Sequence, residues 1–187
     1  MNKAMLLCFV SITTAVGGMM AGCGGDETTT DDGAACFDYA GFDGTTPATT
    51  FRADVLPLFV RSCGLSTSCH GDPSSPNDAA TMGRRQFLGP PATMASEVTD
   101  MQIDAIFAAN VNKDSVKGAG MKVIAPGSPD QSFLMHKMDG LCGAELKCEG
   151  VGAGTGCGET MPQKASILPQ AERDVVRRWI AQGAKND

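Results

Sequence analysis

The stretch VRSCGLSTSCHGDP, residues 60–73, decides how this chain is to be read. It sets Cys69, His70 and Gly71 side by side, with Cys63 six positions before Cys69. Two sulfurs and an imidazole on one short loop allow two kinds of chemistry. Either the cysteines close a disulfide across Gly64–Ser68 with His70 merely adjacent, or they hold a group that the histidine also binds.

The choice depends first on compartment. MNKAMLLCFVSITTAVGGMMAGC (1–23) carries Lys3, then an apolar run from Ala4, then small residues before Cys23. The run is short and broken by Thr13, Thr14, Gly17 and Gly18, which makes a poor spanning helix and a good secretory signal. Its end, Met-Ala-Gly-Cys, resembles a bacterial lipobox, so the mature chain is expected to start at an acylated Cys23. An ordinary secreted protein cleaved nearby is the alternative. Gly24, where an aspartate would retain the protein at the inner membrane, points by analogy with lipoprotein sorting to the outer membrane.

Removing 1–22 takes one cation, Lys3, and no acid, which turns the net charge of −6 into −7 over 165 residues. So acidic a chain repels phosphate backbones and anionic headgroups. No nucleic-acid partner is expected, the membrane is reached through lipid, and a docking partner should present a basic face. Cys8 leaves with the signal and Cys23 takes lipid, so six cysteines meet an oxidising compartment: Cys36, Cys63, Cys69, Cys142, Cys148 and Cys157. Three disulfides form, or two form and one pair does something else. Parity does not decide.

Residues 23–49, rich in Gly, Thr and Asp, read as a flexible tether after the 1–22 signal. Cys36, Phe37, Tyr39 and Phe42 suggest that its second half packs on the domain. Residues 50–187 form one domain of ordinary size. Phe51, Val55 and Phe59 recur at helical spacing, with Pro57 expected to kink that helix. Thr99 and Gln102 make a capping box ahead of Ile103, Ile106 and Phe107. Ser128, Pro129 and Gln131 repeat that start signal ahead of an apolar face of Phe133, Leu134, Met138 and Leu141. Pro169 opens and Gly183 stops a last helix whose stripe is Leu168, Val175, Val176, Trp179 and Ile180. Alternating strand patterns are scarce. The expected fold class is all-α, a small helical domain with long Gly/Pro loops. Such a domain is short of core and needs either disulfides or a large apolar cofactor to compensate.

A covalently attached haem is such a cofactor. In a c-type site two cysteines become thioethers and the histidine after the second binds iron. Two residues normally separate the sulfurs. Here five do, and the three extra are close to one helical turn of roughly 3.6 residues, so Gly64–Ser68 have room to bulge outward. Against this, Cys142 and Cys148 repeat the five-residue gap with Glu149 where a histidine would be, and spacing alone favours a Cys63–Cys69 disulfide. Met161, in GETMPQK (158–164), offers a thioether as second iron ligand, although a loop methionine is more often a core filler. His136 falls opposite the apolar face of its helix, is expected at the surface, and is the rival second ligand. Copper held by His70, Met161 and the methionine-rich 133–138 segment is a further option. No G-x-S-x-G, H-E-x-x-H or phosphate loop occurs and the acids are scattered, so nothing argues for an enzyme of hydrolysis or group transfer.

Taken in order, the first helix, Ser68-Cys69-His70-Gly71, GRRQFLGPPA (83–92), APGSPDQSFLMHKM (125–138), Met161-Pro162 and a last helix ending WIAQGA (179–184) form a pattern. It resembles the planctomycete-type cytochrome c domain of the cytochrome c superfamily, over about residues 51–185. The resemblance implies one haem c, with Cys69 as a thioether, His70 as proximal and Met161 as distal iron ligand; Cys63 matches by analogy because of the stretched gap. It implies a membrane-anchored electron carrier of the cell envelope that meets a redox partner protein. The alternative is a haem-free, disulfide-stapled envelope lipoprotein acting as a binding or structural module.

Overall fold

The computed structural model describes residues 36–73, 86–143, 146–148 and 156–187. The expected signal 1–22, the lipidation site Cys23 and the tether as far as 35 lie outside the described residues. The compact unit runs from Ala35 to Asp187 and so takes in the second half of the expected tether.

Four α-helices carry the unit: α1, Leu56–Ser62; α2, Asp100–Asn110; α3, Phe133–Met138; and α4, Gln170–Ala181. Among the described residues there is no strand, only isolated bridges such as Val111–Ile124 and Gly118–Cys148, and no helix is long and apolar enough to cross a membrane. Ahead of Pro57 the helix is wound as a wide turn that runs directly into α1. Residues Phe51–Val55 are π-helical, the Leu56 amide donates to Phe51 O, and α1 starts with Pro57 in its first turn, where a missing N–H costs little. The capping box on α2 is present: Gln102 N donates to Thr99 Oγ1 at 3.3 Å, and Thr99 N to Gln102 Oε1 at 2.9 Å. Pro169 precedes α4, and Gly183, at φ +103°, ends it.

The third helix departs from the expectation. Ser128 does not cap it; residues Pro129–Gln131 make only a 3-10 turn, and α3 begins at Phe133. The reason is non-local. Phe133 N donates to Lys122 O at 2.8 Å and Leu134 N to Val123 O at 3.0 Å, so amides a longer helix would use are tied to a neighbouring segment. Buried Ser132 sits at the break and donates its hydroxyl to Ser128 O at 2.9 Å.

Phe51, Val55, Phe59, Ile103, Ile106, Val176, Trp179 and Ile180 form the centre of the core. Phe51 packs edge-on against Phe59 and Phe107, and Trp179 touches both Phe51 and Phe107, at 5.3 Å and 5.9 Å between centroids. Each such side chain contributes roughly 1.5–3 kcal/mol by leaving water. Trp179, whose Nε1 donates to Lys185 O, is the single residue whose loss would most open this centre, at about 3–5 kcal/mol.

Residues 36–49 are held on the helices by three devices. Cys36 is bonded to Cys142. Phe37 lies under the Arg177 guanidinium, 3.4 Å from ring centroid to its carbon. Tyr39 donates its hydroxyl to Asp139 at 2.7 Å, and the same buried carboxylate accepts from Arg173 and Arg177 at 2.6 Å each. Arg177 also contacts Asp174. Hydrogen bonds from the terminal guanidinium nitrogens replace part of the hydration these two groups lose, while the Nε of each is buried without a partner.

Candidate functional site

Cys63 ends α1, with its amide donating to Phe59 O at 2.9 Å. The chain then folds back within eight residues. Ser66 O accepts from Cys69 N and from Gly71 N at 3.0 Å each, and Cys63 O accepts from His70 N at 3.2 Å. Leu65, Thr67 and Ser68 are pushed out to the surface, while Cys63, Cys69 and His70 remain partly buried. The five-residue insert therefore bulges outward and leaves the two sulfurs on one wall. Gly71 is needed for the closure, since a Cβ there would sit 2.7 Å from Ser66 O and 2.9 Å from Gly64 O.

That wall faces a cavity of about 620 Å³, which is also lined by Met161. A volume on this scale belongs to small-molecule and cofactor sites, which span roughly 300–1,000 Å³. All four residues proposed from the sequence to touch a cofactor, Cys63, Cys69, His70 and Met161, meet on this one space. Leu88, Val123, Phe133, Leu134, Met138 and Leu168 supply its apolar surface.

Three features fix the polar groups. His70 Nδ1 lies 2.7 Å from Gln86 O; donation there orients the ring and puts the lone pair on Nε2, the arrangement common to metal-binding histidines. Met161 N donates to Lys137 O at 2.8 Å, which pins the Met161 loop to the end of α3. Cys63 and Cys69 are both free thiols. Burial, then the neighbouring Cys69, push the Cys63 thiol up to about 12, against a weak opposite pull from Arg61, so it is neutral at pH 7.

The disulfide expected on spacing alone between Cys63 and Cys69 is therefore absent. Cys142 and Cys148 do not bond each other either: Cys142 pairs with Cys36, and Cys148 with Cys157. Among the described residues no three His, Cys, Asp or Glu side chains converge as a set for a bare metal ion.

His136 corrects the sequence reading. It is fully buried rather than surface-exposed. Its Nδ1 faces Cys142 O at 2.9 Å and its Nε2 faces Asp130 O at 2.8 Å, so both ring nitrogens are engaged with backbone outside the cavity. The side opposite the apolar face of α3 is covered by the 36–49 segment, with Tyr39 against the imidazole at 5.5 Å. His136 is a packing histidine and not a competitor for Met161.

Three lysines without any local signal also line the cavity, Lys117, Lys137 and Lys164. Lys137 Nζ donates to Cys157 O at 2.9 Å and to Glu159 O. No protein-family model matches this chain, and no curated protein or solved structure matches it.

Proposed function

We propose that the chain is an envelope-anchored monohaem c-type electron carrier built on a cytochrome c-like helical domain. One observation carries this reading. Of the six cysteines from Cys36 onward, four pair in disulfides, and the two left as thiols precede His70 and share a largely apolar cavity with it and with Met161. A bound haem supplies a one-electron iron couple whose potential is raised by His/Met ligation.

The chain's own part is to hold, orient and shield. Cys63 and Cys69 would be the attachment points for the haem, and His70 and Met161 would hold its iron. Gln86 O sets the His70 ring so that Nε2 is the ligating nitrogen, and Lys137 O steadies Met161. Leu88, Val123, Phe133 and Leu134 keep water away. Acylated Cys23 anchors the domain to the cell envelope, at the outer membrane, and the acidic surface suits a redox partner with a basic docking face. Neither nucleic acid nor bond-making catalysis belongs to this reading.

The test is expression in a host with haem-attachment machinery. The protein should be red, and its haem should survive denaturation and solvent extraction. Two disulfides and a buried ion network hold the domain without any ligand, which favours the rival, a haem-free stapled lipoprotein with a binding or structural role. Colourless protein from a competent host selects that rival.

A further inference from the structure

Three lysines line the cavity, Lys117, Lys137 and Lys164, and the first two meet beside Gly158. Lys117 and Lys137 lie so close that a Cβ placed on Gly158 would be 3.8 Å from the first Nζ and 3.4 Å from the second. Burial and then Lys117 push Lys137 down to about 8, with Glu159 pulling the other way. Lys137 spends two of its N–H bonds on the neutral carbonyls of Cys157 and Glu159. Lys117 has no ion pair or side-chain hydrogen bond among the described residues. Like charges on a partly apolar wall repel and are poorly hydrated, a cost that an anion between them would remove.

The Lys117 backbone is also fixed where it is. Gly118 N donates to Ser115 Oγ at 2.9 Å and Ala119 N to Lys147 O at 2.8 Å. Gly118 pairs with Cys148, which is bonded to Cys157 beside Gly158. A Cβ on Gly118 would sit 2.4 Å from Phe133, so the loop has no space to relax. The lysine is thus carried on a covalently braced frame in the lining of the cavity.

We infer that Lys117, with Lys137 beside it, holds an acidic arm of the cavity's occupant and so selects a carboxylate-bearing macrocycle over a neutral one. This rests on the reading of the cavity as a haem pocket, and supplies an orientation: the acid-bearing edge lies toward Lys117 and Lys137.

The test uses the full chain made without haem-attachment machinery, titrated by fluorescence with iron-free protoporphyrin IX and with its dimethyl ester. Iron, thioethers and electron transfer play no part in the readout. The wild type should bind the free acid at least tenfold tighter than the ester. Lys117→Met should shrink that preference to twofold or less, while leaving ester affinity unchanged, and Lys117→Arg should retain most of it. Equal binding of acid and ester, or a preference that survives Lys117→Met, overturns the inference and leaves the haem reading standing. If neither porphyrin binds the wild type, the haem reading falls and the inference with it.

Discussion

The chain contains two cysteine pairs with the same five-residue gap, Cys63/Cys69 and Cys142/Cys148, and they meet opposite fates. In the first, hydrogen bonds to Ser66 O and Cys63 O fold the gap back on itself, and both sulfurs stay as thiols on a cavity wall. In the second, the chain opens out after α3, and each cysteine bonds a different segment: Cys142 the arriving N-terminal arm, Cys148 the loop that leads to Met161. Spacing states how far apart two sulfurs are along the chain. What each one faces is decided by partners outside the gap.

The sharpest way to break this comparison is at the histidine that only the first pair has. His70→Ala should reduce haem retention to near zero, whereas Met161→Ala should leave haem attached, lower its potential and let added small ligands bind. Absorption spectra of the two purified variants decide; equal spectra would mean that His70 has no special place.

The second pair should show itself in stability. Cys36→Ser opens a link across 106 residues and Cys148→Ser one across 9. Chain-entropy arithmetic puts these at about 5 and about 2.5 kcal/mol, to be read from denaturant melts. Between them comes Asp139→Asn, which removes the carboxylate shared by Arg173 and Arg177 and leaves buried Arg177 with Asp174 alone, at about 3–4 kcal/mol. If Cys36→Ser proves the milder change, the ion network and not the disulfide holds the N-terminal arm.

The smallest effect is a rate. In haem-free chain at pH 8, alkylation of Cys63 should be slower than in the unfolded chain by on the order of tenfold or more, because burial disfavours the thiolate. The raised Cys63 value stabilises the fold fully below pH 9 and less as pH climbs toward 12. Protein from a haem-attaching host should yield no alkylatable cysteine at either 63 or 69, and one remaining thiol there would mean attachment through a single sulfur.

These contrasts also mark what could be read in the sequence. The capping box at Thr99 and Gln102 and the limits of α4 were legible because each depends on residues within one turn. The four residues around the cavity were legible as chemistry, since two sulfurs, an imidazole and a thioether suggest a common ligand before any fold is known. Ser128 misled because Phe133 and Leu134 give their amides to Lys122 and Val123. His136 misled because a segment about a hundred residues earlier covers it. The cysteine pairing and the Lys117–Lys137 approach were illegible for the same reason: each is a meeting of distant segments with no local pattern to announce it.

The Cys36–Cys142 bond has a mechanical meaning as well. A pull on the chain from its N-terminal side reaches Cys36 first and passes through the disulfide into the turn after α3. From there Asp139 hands it to Arg173 and Arg177 on α4. Tension bypasses the stretch from Phe37 to Thr49, whose aromatic and hydrogen-bonded contacts would otherwise peel one at a time. A pull from the N-terminal side is thus taken up first by a covalent bond and a buried ion network, before any of the weaker contacts of residues 37–49.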